Sequence, residues 1–255
     1  MVPFLRPFAS LIAAVCVGQA HADLDSDLAD LSARAAYGYY VRDAAVIAAA
    51  LEGLEQLQAK DGRVSVERAL SAMRLAHLSA PGTKRANEML IVCVAAAEEA
   101  AQQLPSSAEP WILSSACSAR AARAETVKAV LHNRRTHNAL ARARSIDAAN
   151  PRLALVEAWR VADDAADLDS ESAAALIPKL EAAVAVFREG RHSEPDWGEA
   201  ETLALLGALY LRKGDVRAAR DVIEHALLAA PGYEDALELK RRLELHVVGA
   251  REPGG

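Results

Sequence analysis

Cys93 and Cys117 are the residues of this 255-residue chain whose type and spacing come nearest to chemistry. Pro105 lies twelve residues from each, so helices over 84–104 and 109–122 that run antiparallel would set the two sulfurs level. Neighbouring helix axes lie about 8–10 Å apart, whereas a disulfide needs Cα atoms within about 6.8 Å. Two readings are therefore open: a bond between side chains that point directly at each other, or a pair of buried small apolar groups. Two sulfurs without nearby partners do not make a metal site. His132 and His137 are five apart and point about 140° apart on a helix, unlike the i, i+4 pair that shares a metal. His77, His192, His225 and His246 are isolated and read as structural or surface groups. Asp163, Asp164, Asp167, Asp169 and Glu171 have the charge to attract Ca²⁺ but lack the glycine and spacing of an EF-hand loop. They read as an acidic interhelical turn. The chain carries no glycine-rich phosphate loop, no Gly-x-Ser-x-Gly elbow and no HExxH pair. The expectation is a protein that is not an enzyme and uses no cofactor or metal.

Those residues must be positioned by helices. The hydrophobic fraction is 52% with only 4% aromatic residues, and abundant Ala and Leu with hardly any β-branched alternation point to an all-α protein. Prolines punctuate it. Pro81 closes a helix over 64–79, Pro105 one over 84–104, and Pro151 opens one over 153–166, followed by another over 171–189. Counting back from these stops gives about five antiparallel helix pairs over 24–60, 63–104, 109–149, 152–190 and 197–230. A last helix over 233–247 caps them, with Leu237, Leu239, Leu243 and Leu245 toward the preceding pair. The proline separations of 46, 44 and 36 residues make the pairs irregular.

The start of the chain bears on compartment. Arg6, an apolar run over 8–18 and the small-x-small sequence Ala20-His21-Ala22 read as a secretory signal peptide cleaved after Ala22. The run is short of the roughly 18–20 residues that span a membrane. Cys16 follows Ala13-Ala14-Val15, which disfavours a lipid-modified cysteine. Residues 1–22 are thus a leader, 23–248 one helical domain and 249–255 a disordered tail. The mature chain carries 28 basic and 35 acidic side chains, net −7. With export, that balance argues against a nucleic-acid partner, and no second segment approaches stable membrane insertion.

Residues 200–233 carry a more specific pattern. Counting Ala200 as position one, Leu203 stands at four, Leu206 and Gly207 at seven and eight, and Tyr210 at eleven. Ala219 follows at twenty, Ile223 at twenty-four, Ala226 at twenty-seven and Pro231 at thirty-two. This window closely resembles the tetratricopeptide repeat, with Leu for the usual Trp and Ile for the usual Phe. Small Gly207 and Ala219 sit where two helices approach, flanked by Leu206, Tyr210 and Ile223. Two further elements, Asn150-Pro151-Arg152 and Pro195-Asp196-Trp197-Gly198, are similar to a group of exported bacterial tetratricopeptide-type proteins of uncharacterised function. The resemblance implies a right-handed α-solenoid whose first helices line a concave groove. It implies groove positions at Glu201, Ala204, Ala208, Leu211 and Arg212, with Glu109, Ile112, Ala116 and Arg120 as analogues one repeat earlier. Trp197 reads as a packing wedge.

Charge is uneven along the chain. Residues 118–152 hold eight basic and two acidic side chains, and residues 153–201 hold twelve acidic and four basic. Such blocks are solvated faces, ion pairs between helices, or a patch for an acidic partner. The functional expectation is a monomeric, periplasmic or secreted scaffold that binds an unidentified protein or peptide in an envelope assembly. The alternative is a small-ligand-binding or transport-accessory protein, which needs an enclosed pocket of about 300 Å³ or more.

Overall fold

A computed structural model of the chain describes residues 9–57, 60–124, 127–161, 170–190 and 195–249, with side chains from residue 24 to residue 245 of those spans except at 170. The leader reading falls on residues 1–22, of which residues 1–8 and every side chain lie outside the described residues. The tail after residue 249 lies outside them too.

Among the described residues the chain is all helical, with eleven helices and no strand. These are α1 (Ala9–Tyr40), α2 (Ala44–Gln56), α3 (Gly62–Leu78), α4 (Lys84–Gln103), α5 (Glu109–Ala124) and α6 (Ala129–Ile146). They continue as α7 (Arg152–Val161), α8 (Ser170–Arg188), α9 (Glu199–Lys213), α10 (Val216–Ala229) and α11 (Glu234–Gly249). None is long and apolar enough, over the described residues, to cross a membrane.

Polar residues at the turns start the helices. The Asp43 carboxylate accepts from the Ala45 and Val46 amides at 3.0 and 3.2 Å, Asp61 from Arg63 at 2.9 Å, and Asp215 from Ala218 at 3.1 Å. Each satisfies amides that a helix leaves without an internal acceptor. Packing then follows two rules. Consecutive helices pack as α1 on α2, α3 on α4, α5 on α6 and α9 on α10, while odd-numbered helices from α1 to α11 each touch the next. The centre of that inner row is α3, where Val64 to Glu67 and Ala69 to Ala76 are all buried. A helix buried on every face belongs to a core rather than a surface.

The 200–233 window forms α9 and α10. A Cβ added to Gly207 would stand 2.7 Å from Cγ1 of Ile223, so this approach has room for hydrogen alone. Cys93 on α4 and Cys117 on α5 are both fully buried and joined as a disulfide, with Cα atoms 6.3 Å apart. The side chains therefore face each other across the α4–α5 contact.

The two ends of the chain of helices meet. The Tyr233 ring lies 5.1 Å from that of Tyr40 and 6.1 Å from that of Tyr39, and Arg42 Nε donates to Asp235 at 3.1 Å across 193 residues of sequence. One expectation for α11 needs correcting. Ala236, Leu239 and Leu243 form its buried stripe, whereas Leu237 is half-buried and Leu245 exposed. Residues 236, 239 and 243 share one helical face, and 245 lies about 200° round from 243.

Candidate functional site

The three short elements around Pro110, Pro151 and Pro195 converge on the inner side of the helices. Arg152, at the start of α7, is 1% exposed in its side chain, and its Nη1 meets Glu109 Oε1 at 2.9 Å. Its Nε donates to the Trp197 carbonyl at 2.9 Å and its Nη2 to the Pro195 carbonyl at 2.5 Å. Asn150 donates from Nδ2 to the same Glu109 oxygen at 3.0 Å, and Trp197 from Nε1 to Glu109 Oε2 at 3.2 Å. The guanidinium also lies 5.5 Å from the ring centres of both Trp197 and Phe187. A buried charge pair is tolerable when its remaining donors and acceptors are satisfied, and here both Glu109 oxygens are used. Gly198 makes this possible. Its φ of 98° suits glycine, and a Cβ there would meet Arg152 Cγ at 3.0 Å and Phe187 at 3.1 Å.

A second buried guanidinium holds the same lead-in from the other side. Arg74 on α3 is 1% exposed, donates from Nη2 to the Asp196 carbonyl at 3.0 Å and lies 5.6 Å from the Tyr39 ring centre. Two arginines from separate helices thus fix residues 195–197.

Between α1, α3, the start of α5 and this lead-in lies a half-open cavity of about 600 Å³. Leu28, Ala29, Ala33 and Ala36 form its apolar wall, and Glu67, Arg74, Glu109 and Asp196 bring charge to it. Glu67 Oε2 and Arg74 Nε, both buried, have no hydrogen-bond partner among the described residues. Burial pushes the Glu67 carboxyl above the ordinary carboxylate range, against the pull of Arg74 and of a hydrogen bond from Ser32. Glu201, also buried, is raised by the same cause, although Arg74 and the Gly198 amide, which donates to its Oε2 at 2.8 Å, favour the ionised form. The hydroxyls of Ser32 and Ser107 belong to residues of the same lining, and Ser32 is the one hydrogen-bonded to Glu67.

Of the positions assigned to a groove, Glu201, Ala204 and Ala208 line a half-open hollow of about 290 Å³ together with Tyr39, Trp159 and Tyr233. Glu201, Ala204, Glu109, Ile112 and Ala116 are buried, Ala208, Leu211 and Arg120 are half-buried, and Arg212 alone is exposed. Ile112 and Ala116 are covered because α5 packs on α3, α4, α6 and α7. Glu109 anchors the Arg152 network and also belongs to the lining of the cavity beside α3. Trp197 is 2% exposed and packs at 6.3 Å and 25° against Trp159, so it is a wedge that also donates a hydrogen bond. His77 touches Tyr39 and Trp159 as an aromatic neighbour. The acidic run lies outside the described residues from 163 to 169. No group of three metal-binding side chains occurs among the described residues.

Sequence reasoning missed Glu67 and Arg74, and undervalued Arg152. The signal was present in α3, where Glu67 and Arg74 are seven apart on one face of a helix otherwise lined with Val, Ala, Leu and Met. Charges inside such a stripe need a partner from another element. No protein-family model matches the chain, and no curated protein matches it either.

Proposed function

We propose that this chain is an exported binding module of the tetratricopeptide type, a scaffold that holds a short segment of another protein and performs no catalysis. The arrangement behind this reading is a right-handed α-solenoid of five antiparallel helix pairs with α11 as its cap. The sequential packing of the helices and the Gly207–Ile223 approach support it. The periplasmic or secreted location rests on the leader-like residues 1–22. N-terminal sequencing of the exported protein should begin at Asp23, and a mature protein that retains Met1 would remove the export reading.

The observation that carries the binding function is the cavity beside α3. Its volume of about 600 Å³ falls within the roughly 300–1,000 Å³ of ligand sites, and Glu67, Arg74, Glu109 and Asp196 bring charge to its lining. The small size of the space favours a few residues of extended chain over a docked helix. The same size supports the second reading, a small-ligand-binding accessory protein.

Ala29 and Ala33 are exposed on the cavity wall, so Ala33→Phe fills the space without disturbing the core. Pools of blocked random pentapeptides should raise the unfolding temperature of the native chain by binding the folded state and leave Ala33→Phe unaffected. Equal shifts in both proteins would sink the cavity as the binding site. Stabilisation by a metabolite mixture but by no peptide pool would select the second reading.

A further inference from the structure

Eight large apolar side chains stand exposed among the described residues, and three of them fall within five consecutive positions. Val127, in the turn before α6, is 96% exposed, and Val130 and Leu131, in its first turn, are 80% and 67% exposed. Scattered singly such residues need no explanation, whereas a cluster marks a contact surface. This one protrudes because the buried stripe of α6, formed by Thr136, Ala139, Leu140 and Ala143, begins only at residue 136. Arg134 stands three and four residues beyond Leu131 and Val130, which puts it beside them on the outward face. Arg142, eleven residues beyond Leu131, shares that face about 16 Å further along the axis. Both arginines are exposed and form no ion pair among the described residues, unlike Arg135, which meets Glu98 at 3.4 Å, and Arg144, which pairs with Glu157. Within α6 itself there is no carboxylate. The whole chain holds 29 basic and 35 acidic side chains, yet residues 118–152 hold eight and two.

We infer that the outward face of α6 docks on an anionic lipid surface, with Val127, Val130 and Leu131 seated among the headgroups and Arg134 and Arg142 on their phosphates. The helix lies along that surface and does not cross it. Charge complementarity makes the partner anionic, and shape makes it a lipid surface. A specific protein interface buries about 800 Å² on each partner around aromatic or arginine anchors in pockets. Three aliphatic side chains on a projecting helix end are too small a patch for that. An interfacial helix needs only apolar tips below the headgroups and cations beside them. Beside the ridge opens a half-open hollow of about 450 Å³ that Lys128, Arg134 and Arg135 line together with Leu131 and Trp111, so the cations border apolar surface on this flank as well. The acidic excess elsewhere in the chain orients the approach, because a negative surface attracts only the basic side of the molecule. None of these residues lines the cavity beside α3, and the docking stands independently of the binding function proposed for it.

The test is flotation of the mature chain at physiological salt with vesicles of phosphatidylcholine alone or of phosphatidylcholine and phosphatidylglycerol in equal parts. Partition onto the mixed vesicles should exceed that onto phosphatidylcholine by at least ~10-fold. Val130→Ser with Leu131→Ser should lower it by about 10-fold. Arg134→Gln with Arg142→Gln should lower it by about 25-fold, at roughly 5-fold for each cation. All four positions are exposed, so the unfolding temperature of both variants should match that of the native chain. Leu228→Ser, at an aliphatic side chain 78% exposed on α10, should leave partition unchanged. Equal partition onto the two kinds of vesicle, or variants of α6 that float as the native chain does, overturns docking by this face. Absence of flotation with either vesicle overturns it as well, and binding of a Glu-rich amphipathic peptide in its place assigns the surface to an acidic protein.

Discussion

The α9–α10 hairpin and the junction around Arg152 are built by opposite rules. In the hairpin, Gly207 and Ile223 interlock apolar surfaces between helices that are neighbours in sequence. In the junction, a buried Arg–Glu pair joins Glu109, Asn150 and Trp197, which come from elements about 40 residues apart or more. The hairpin tolerates volume-conserving exchange because dispersion and burial are non-directional. The junction tolerates little, because each polar group there has one geometry that satisfies its neighbours. A local apolar interlock and a unique polar network thus coexist in one chain, and the cavity adjoins the network.

The comparison breaks most readily at Arg152. Its replacement by Ala leaves Glu109 charged and buried together with the Pro195 and Trp197 carbonyls, so a loss of about 3–5 kcal/mol is expected from urea unfolding. A loss no larger than that of an exposed arginine would mean that the junction is ornamental. Glu109→Leu combined with Arg152→Met should recover part of the loss, since removal of both charges avoids the orphan. The covalent link comes next. Cys93→Ser opens a crosslink of sequence separation 24, and about 3 kcal/mol should disappear under oxidising conditions. Reducing agent should abolish the difference between the two proteins.

The hairpin is the milder case. Gly207→Ala forces a Cβ against Ile223 Cγ1, with an expected cost of about 1–3 kcal/mol, and Ile223→Ala, which removes that carbon, should relieve it in a double-mutant cycle. Absence of coupling between the two would show that the approach is not what sets the hairpin. The smallest effect concerns Glu67. Its proton affinity is raised by burial in the folded chain, so folding is favoured below the ordinary value of 4.5 and weakened as pH rises through the folded value. Glu67→Gln should therefore be more stable than the native chain at neutral pH, by less than any loss above, and the advantage should vanish in acid. An advantage that persists unchanged in acid would remove the ionisation account.

These contrasts also explain what the sequence could disclose. Gly207, Ala219 and Ile223 repeat a local spacing, so the α9–α10 contact was legible from one window. Pro81, Pro105 and Pro151 marked helix ends because a proline lacks the amide a helix needs. The all-helical class followed from composition. The junction was half legible, since Asn150-Pro151-Arg152 and Pro195-x-Trp197-Gly198 stood out as motifs although nothing in their spacing joined them. Their partner, Glu109, had been placed in a groove by analogy with a regular repeat. That analogy offered no partner for its carboxylate, because register says which face of a helix points inward but not what lies opposite. Glu67 and Arg74 were legible only as anomalies in an apolar stripe.

The contact of Tyr39 and Tyr40 with Tyr233, with Arg42 on Asp235, has a consequence for how such a chain can change over evolutionary time. An open row of repeats lengthens or shortens by whole units with little penalty, because each unit touches only its neighbours. Here the end of α1 also meets the turn that leads into α11. Duplication or deletion of one helix pair would carry Tyr233 away from Tyr39 and expose three aromatic rings. A change in the number of helix pairs would therefore cost a contact that an open row of repeats never makes.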